Sequence, residues 1–144
     1  MRVRFFLQEP DTVMLPALPI RHDGFVPGRH GMDAYGAGGF RFAGMSHKGS
    51  VLALPSGVHA WAVAVPGDIS VASLAALLAE PQGAVELLLL GTGAQLVPQP
   101  DALRWRLREA GIRLEVMQTG AAARTYNILL GENRRVAAAL LAVD

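Results

Sequence analysis

The segment LLLLGTGAQLVPQP, residues 87–100, decides the fold of this chain. Its leucines end a run over residues 85–90 that is apolar nearly throughout, which is typical of a strand buried on both faces of a parallel sheet. A helical pattern with Leu103 and Leu107 on one side follows, and residues 112–116 then alternate as a second strand. A strand, a helix and a strand in this order predict two parallel neighbours joined by a right-handed crossover. The chain is therefore predicted to be α/β.

The same periodicity predicts further elements on both sides of this segment. A first helix is expected after Ser70, where apolar residues recur at helical spacing from 71 to 78. A third helix is expected over residues 119–130, and Gly131 ends it. Residues 136–143 are apolar throughout and predict another buried strand. The apolar face of the first helix is predicted to be Val71, Leu74 and Leu78.

The residues ahead of the first helix have the pattern of β-structure. Residues 40–42 alternate between apolar and polar side chains. Residues 51–54 and 58–65 are predicted strands, and the Pro-Ser-Gly sequence at 55–57 forms the break between them. This region is therefore expected to form hairpins on the α/β part of the fold.

The chain length suits one domain. Its 144 residues, 51% hydrophobic and 17% charged, can bury a substantial single core. We expect a single domain over residues 1–144, in which residues 1–30 are an extended, partly flexible lead-in and residues 31–143 are the core. The lead-in is rich in proline and glycine, and one short strand is expected near residues 12–15.

Charge, cysteine content and hydropathy exclude several classes of function. The net charge is +1 without a dense basic run, so nucleic acid is not an expected partner. Cysteine is absent, which excludes disulfides, thiol catalysis and thiolate metal sites. The longest apolar run, residues 136–143, is much shorter than the ~20 residues that span a bilayer, and residues 5–7 are too few for a signal-peptide core. We expect a cytoplasmic, bacterial protein that does not insert into membranes.

The turn Gly91–Gly93 follows the buried strand at the position where dinucleotide-binding proteins hold a pyrophosphate. That fingerprint needs a third glycine where this chain has Leu96, and its turn opens directly into a helix, which residues 97–100 delay here. A P-loop needs a lysine after its last glycine, and the only lysine of the chain is Lys48. The pattern favours a tight strand-exit turn, and no cofactor is expected.

Motifs for nucleophilic and metal chemistry are also incomplete. Residues 44–48 approach a nucleophile elbow around Ser46, but Lys48 stands at the position of the second glycine. The four histidines lack the spacing and the flanking carboxylates that suit a metal. We therefore predict a non-enzymatic protein with no catalytic residues and no metal site.

The second helix carries an aromatic residue with two interpretations. Arg104, Arg106 and Arg108 are expected to be the solvated flank of this helix. Trp105 shares that side, where it either covers a sheet edge or contacts a partner, since aromatic residues anchor many interfaces.

The glycine turn and the start of the third helix are expected to lie together. Parallel strands end at the same edge, so residues 91–93 and 118–120 become neighbours where open α/β sheets bind ligands. Arg124 and Asn127 are i, i+3 neighbours and can converge on one ligand or partner. The predicted binding residues are Gly91, Thr92, Gly93, Thr119, Gly120, Arg124 and Asn127.

A structural interpretation of the same residues stays open. In it, Thr119 only caps the helix, and Tyr126 packs in the core. Arg124 and Asn127 then tie down the glycine turn instead of binding a partner. In the binding interpretation, the free N–H groups at the helix start are available to an anion.

Five blocks of the chain together resemble a known family. They are AYGAGGFRFAG (34–44), GSVLALPSGVHAW (49–61), LLLLGTGAQL (87–96), AGIRLEVMQTGAAARTYNILL (110–130) and RRVAAALL (134–141). Their order and joint spacing resemble the small Mth-type domain family of bacteria, archaea and mitochondria over residues 31–143. This family includes the mitochondrial complex I assembly factor 3 and the adipogenesis-associated Mth domain protein.

The resemblance implies a three-layer α/β fold. Its centre is a mixed five-stranded sheet with one antiparallel strand, on which helices and an N-terminal β-hairpin region pack. The residues that match the family's signature are Gly38, Gly39, Gly91, Thr92, Gly93, Thr119, Tyr126 and Asn127. Gln118 and Ala123 stand where many members have Asp and Cys, so the resemblance implies no acid–base or thiol chemistry at those positions.

The resemblance also implies a function, because the family has no established enzymatic activity. We expect a non-enzymatic protein-binding module similar to a complex I assembly factor, with complex I subunits or other assembly factors as protein partners. The alternative is a small-molecule or anion-binding domain that uses the turns at 91–93 and 119–120. An unrecognised enzyme is the third class.

Overall fold

The computed structural model describes residues 24–144, so the strand expected near residues 12–15 lies outside the described part. Nine strands, three α-helices and two short 3-10 helices follow one another within it. The strands are β1 (Phe25–Pro27), β2 (Ala34–Gly36), β3 (Gly39–Phe42), β4 (Met45–Lys48), β5 (Ser50–Ala53), β6 (Gly57–Trp61), β7 (Leu87–Gly91), β8 (Arg113–Met117) and β9 (Val136–Leu140). The helices are α1 (Ala75–Leu78), α2 (Asp101–Glu109) and α3 (Thr119–Gly131), and the 3-10 helices are Pro66–Asp68 and Ala72–Leu74.

Six strands form the central sheet in the order β1-β6-β5-β9-β7-β8. β7 pairs in parallel with β8 on one side and with β9 on the other, so the predicted parallel neighbours are confirmed. β5 runs antiparallel to both β9 and β6. The five strands from β6 to β8 therefore form the expected mixed sheet with one antiparallel member.

The sixth strand, β1, is the difference from the expected five-stranded sheet. It pairs only three residues with β6, with Val26 opposite Val58. Its sequence lies between Gly24 and Gly28 and is too short to show the alternation that indicates a strand. Pro27 is compatible with it because β1 is an edge strand, where a missing backbone donor is tolerated.

Two hydrophobic cores lie on opposite faces of the central sheet, which gives the molecule three layers. Leu88 and Leu90 of β7 face the core that α1 and α2 cover. Leu87 and Leu89 face the other core, which α3 and the antiparallel sheet β2-β3-β4 cover. Successive side chains of a strand point to opposite faces, so an uninterrupted leucine run supplies both cores at once.

The first helix is shorter than its periodicity predicts, since only Ala75–Leu78 is α-helical after a 3-10 turn. Ser70 and Ser73 cap this segment reciprocally: each hydroxyl accepts the backbone N–H of the other, at 3.1 and 2.9 Å. Leu74 is fully buried as predicted. Val71, which precedes the 3-10 helix, is 36% exposed, and Leu77 is buried where Leu78 was predicted, so the predicted apolar face is confirmed only in part.

Arg104 covers the outer edge of the central sheet at β8. Its Nη1 donates to the Leu114 carbonyl at 2.6 Å, so Arg104 is not part of a purely solvated flank. Trp105 is 62% exposed, with its ring centroid 5.2 Å from the Arg108 guanidinium carbon. Arg104, and not Trp105, therefore covers this sheet edge. The other interpretation of Trp105, a contact with a partner, stays a prediction. The helical face predicted to be buried is confirmed by Leu103 and Leu107.

α3 begins and ends close to its predicted limits and packs across β7 and β9. Its buried side is mostly small, which lets the helix approach the sheet closely. Like the other helices between residues 24 and 144, α3 is not both long and apolar enough to cross a membrane. The buried residues of α3 are Thr119, Gly120, Ala122, Ala123 and Tyr126.

Candidate functional site

The glycine turn after β7 is joined to the start of α3, as predicted. The Gly93 N–H donates to Thr119 Oγ1 at 2.9 Å, and the Thr119 N–H donates to the Gly93 carbonyl at 2.8 Å. The Thr119 hydroxyl also donates to the Leu141 carbonyl, just after β9, at 2.7 Å. Thr119 is fully buried, so its hydroxyl connects three segments at this edge of the sheet.

Thr92 organises the loop that follows the turn. Its hydroxyl donates to the Gln95 carbonyl at 2.7 Å and accepts the Val97 N–H at 2.9 Å. Its backbone N–H donates to the Met117 carbonyl at the end of β8. Thr92 is buried and its polar groups are satisfied within the chain, as buried polar groups usually are. It folds the loop back on itself and does not present its hydroxyl to solvent.

At this edge Gly91 is required by close approach to backbone and Gly93 by conformation, whereas Gly120 lies against the end of the Tyr35 side chain. A Cβ on Gly91 would lie 2.8 Å from Thr119 Cα, so glycine lets β7 meet the start of α3. A Cβ on Gly120 would lie 2.9 Å from Tyr35 Cζ. Gly93 has open space around it but a φ of +103°, which side chains other than glycine rarely adopt.

Gln118, and not Thr119, caps α3. Gln118 has an extended backbone, and its Oε1 accepts the Gly120 N–H at 2.7 Å. Thr119 already has a helical position and its hydroxyl is turned into the protein towards Leu141, so the expectation that it caps the helix is wrong. The N–H groups of Thr119 and Gly120 are therefore both bonded within the chain. The anion-binding alternative needs these donors to be free.

Arg124 and Asn127 bind the hairpin region and do not reach the glycine turn. Asn127 Oδ1 accepts the Met32 N–H at 2.8 Å, and its Nδ2 donates to the Met32 carbonyl at 2.7 Å. Arg124 Nη1 donates to the Tyr35 hydroxyl at 3.1 Å. The interpretation in which this pair ties down the glycine turn is wrong, because their side of α3 faces residues 32–35.

Tyr126 packs in the core beside this contact, as the structural interpretation predicts. It is 1% exposed, and its hydroxyl donates to the His30 carbonyl at 3.0 Å. Burial raises the pKa of Tyr126 to about 12, and the positive charge of Arg29 partly opposes that shift. Tyr126 is therefore a protonated hydrogen-bond donor at neutral pH.

Nucleophile and metal-ligand patterns are not assembled here. The elbow-like residues 44–48 form the start and body of β4, where the Ser46 hydroxyl accepts a hydrogen bond from Arg41 at 3.0 Å. A nucleophile elbow requires a strand-to-helix turn instead. Between residues 24 and 144, no three His, Asp or Glu side chains come close enough together to hold a metal ion.

The exposed part of this edge includes residues that sequence reasoning missed. Tyr35 is 41% exposed and Ile128 is 62% exposed, next to the exposed side chain of Arg124. Ile128 follows Arg124 by one helical turn, and an apolar residue on a polar helix face is the signal that could have indicated it. We call Tyr35, Arg124, Asn127 and Ile128 the α3 surface. Tyr35 has no such signal, because only the fold brings it to α3.

Comparisons with known proteins identify relatives of this chain. Residues 32–141 match the family described as Protein of unknown function (DUF498/DUF598). An uncharacterized protein of Rhodobacter capsulatus is 42% identical over 121 residues, which cover 84% of this chain and 90% of that protein. NADH dehydrogenase (ubiquinone) 1 alpha subcomplex assembly factor 3 of Danio rerio is 38% identical over 109 residues, which cover 75% of this chain. The match spans 62% of the length of that assembly factor.

Solved structures share the fold. A protein described as an outer membrane protein from Bartonella henselae has a TM-score of 0.77 at 47% identity, over 82% of this chain and 98% of that one. A Bordetella pertussis protein described as an Mth938-like domain has a TM-score of 0.70 at 35% identity, over 78% of this chain and 85% of that one. The resemblance to the Mth-type family and to complex I assembly factor 3 is thereby confirmed.

Proposed function

Since this chain belongs to the DUF498/DUF598 family, we propose that it is a non-enzymatic protein-binding factor that assists the assembly of respiratory complex I. The observation that carries the proposal is the 38% identity over 109 residues with the Danio rerio protein, which is named an assembly factor of NADH dehydrogenase. An assembly factor acts by binding other proteins. The proposal therefore requires an exposed surface that suits a protein partner.

The α3 surface has the composition of such a contact. Tyr35 and Ile128 supply exposed apolar area, and Arg124 supplies a guanidinium that has no carboxylate partner among residues 24–144. Tyrosine and arginine are enriched among the residues that dominate binding at protein interfaces. The guanidinium donors that Tyr35 leaves free can bind a carboxylate of the partner in a planar, bidentate geometry.

The predicted binding residues take two different parts in this proposal. Arg124 contacts the partner directly. The glycines of the turn and Thr119 fix the start of α3, and Thr92 folds the loop that follows the turn. Asn127 fixes the segment that carries Tyr35. A preorganised surface binds more tightly because less side-chain and backbone freedom is lost on association. The positioning residues are Gly91, Thr92, Gly93, Thr119, Gly120 and Asn127.

The test is affinity capture from native cell lysate that contains membranes. Wild-type protein is expected to retain complex I subunits or their assembly factors, and Arg124→Ala combined with Ile128→Ser is expected to lose them. Both side chains are exposed, so the double variant is expected to keep its fold. The matched control is Arg106→Ala combined with Val65→Ser, which removes one exposed cation and one exposed aliphatic side chain elsewhere.

A genetic experiment tests the identity of the partner. Deletion of the gene is expected to lower the amount of assembled complex I in membranes, and the wild type and the matched control are expected to restore it. Normal complex I in the deletion strain would contradict this identity. Turnover of a metabolite that depends on Arg124 would contradict the non-enzymatic function.

The proposal includes a cytoplasmic location. Cell fractionation is expected to recover the protein with the cytoplasmic contents, or loosely attached to the membrane that holds complex I. Recovery with the outer membrane, which the description of the Bartonella henselae relative suggests for that protein, would contradict this part of the proposal.

A further inference from the structure

The three-stranded sheet β2-β3-β4 lines a large open groove. The groove has a volume of about 950 Å³ and is lined from β2, β3 and β4 and the turn between β2 and β3. Alanine, glycine and the aromatic residues Tyr35 and Phe40 make up most of its lining. Tyr35 also lines a smaller neighbouring groove of about 430 Å³ that includes Arg124 and Asn127. The two grooves therefore meet at the α3 surface.

The charges around these grooves have mainly one sign. Arg41 and Lys48 line the larger groove and Arg124 lines the smaller one. In the described part of the chain, the ion pairs involve other arginines, namely Arg113, Arg134 and Arg135. The three groove cations therefore have no carboxylate within salt-bridge distance. The larger groove has no acidic residue in its lining, and Asp33 is the acidic residue that lines the smaller one.

The two arginines are oriented by neutral groups. Arg41 Nη1 donates to the Ser46 hydroxyl at 3.0 Å, and Arg124 Nη1 donates to the Tyr35 hydroxyl at 3.1 Å. Each bond uses one of the five N–H donors of a guanidinium, so charge and donors remain for an external acceptor. Neutral orienting partners fix the side chains without neutralising them.

We propose that this groove binds an extended, acidic segment of a protein partner. Charge complementarity selects acidic side chains, and the apolar lining accepts the apolar residues that alternate with them in an extended chain. Among the described strands, β2 lies at the edge of its sheet and also offers backbone groups to such a segment. Spaced cations around an apolar lining suit a peptide better than a nucleic acid, which requires a dense basic track along its phosphates. The protein nature of the occupant rests on the proposed function.

The binding test uses a fluorescein-labelled peptide of alternating glutamate and leucine, measured by fluorescence anisotropy with the full chain. Wild-type protein is expected to bind it. Arg41→Gln combined with Lys48→Gln is expected to weaken binding about tenfold, because two exposed charge contacts are lost. Arg106→Gln combined with Arg108→Gln makes the same change of charge on α2, across the central sheet, and is expected to leave binding unchanged. Lys48→Gln alone is the second variant. Its side chain is exposed, so this change is expected to leave the fold intact and still to weaken peptide binding.

Several results would overturn the proposal. They are equal binding by the groove variant and the α2 variant, equal binding of a lysine-leucine peptide, or tighter binding of single-stranded DNA or of phosphatidylglycerol vesicles. Amide shifts in the NMR spectrum of the labelled protein are expected at residues 34–41 and 46–48 when the glutamate-leucine peptide is added. Shifts confined to other residues would also overturn it.

The peptide assay separates this proposal from the assignment to complex I. Groove-dependent peptide binding together with normal complex I in the deletion strain would support the groove and reject the complex I assignment. The opposite outcome is that the deletion strain loses complex I and that the groove variant restores it as well as the wild type does. This outcome would reject the groove and retain the assignment to complex I.

Discussion

Asn127 pairs with both backbone groups of Met32, a residue 95 positions earlier in the chain. Its Oδ1 accepts the Met32 N–H at 2.8 Å, and its Nδ2 donates to the Met32 carbonyl at 2.7 Å. Met32 is buried in the core between α3 and the three-stranded sheet. The side-chain amide thus takes the place of a neighbouring strand and fixes the hairpin region against α3.

Asn127→Ala is expected to lower the free energy of unfolding by about 1 to 3 kcal/mol, because it leaves two buried backbone groups of Met32 unpaired. Urea denaturation measures this loss, and hydrogen exchange should become faster at the Met32 amide. Arg124→Ala is the control, since it removes one exposed hydrogen bond and is expected to change stability by only ~0.5 kcal/mol. Equal stability of the two variants would contradict the positioning role of Asn127.

Thr119→Val is expected to destabilise the protein by about 1 to 3 kcal/mol for each buried group left unpaired, here the Gly93 N–H and the Leu141 carbonyl. Valine has almost the shape of threonine, so packing is preserved and the loss reports on the hydroxyl. Thr119→Ser keeps the hydroxyl and should retain more of the stability. A denaturation midpoint that is higher for the valine variant than for the serine variant would refute this assignment.

Gly93→Val is expected to cost about 1 to 3 kcal/mol of stability, because a β-branched residue is strained at positive φ. No atom within 4 Å would contact an added Cβ, so the effect is conformational and not steric. Gly67→Val is the matched control: Gly67 also has open space but no positive φ. An equal shift of the denaturation midpoint in both variants would show that φ at residue 93 is unimportant.

Stability is expected to fall as the pH rises from about 10 to 12, because Tyr126 keeps its proton in the folded state after the unfolded chain has lost it. Burial raises the pKa of Tyr126 to about 12, so its contribution is complete below pH 10, the unfolded pKa, and is lost towards pH 12. The loss amounts to about 2 kcal/mol. Urea denaturation between pH 9 and 12 measures it. Tyr126→Phe should lack this component, and an unchanged pH profile in that variant would contradict the assignment to Tyr126.

Local patterns predicted the α/β part of the fold because its neighbours are close in sequence. The leucine run of β7, the helical spacing of Leu103 and Leu107, and the alternation in β8 each describe one element. The crossover rule then placed β7 beside β8, and with them Gly93 near Thr119. β1 escaped prediction because three residues cannot show a period, and its extended conformation depends on pairing with β6.

The candidate site was predicted less completely, since its contacts join distant segments. Arg124 and Asn127 were correctly placed on one side of α3, but they contact residues 32–35 and not the glycine turn. Tyr35 was missed because it reaches α3 only through the packing of the hairpin layer. Ile128 did have a signal in the sequence, an apolar residue on a polar helix face, and that signal was overlooked.

The sequence by itself determined the parallel strands, the limits of α3 and the meeting of the glycine turn with Thr119. Periodicity shows which side of each element is buried, and the crossover rule places neighbouring parallel strands. Only the tertiary structure decided which element covers that side. In the tertiary structure Asn127 contacts Met32, and Gln118 caps α3. Arg41, Lys48 and Arg124 line adjoining grooves. These choices depend on the shapes of packed layers, and no local period in the chain records them.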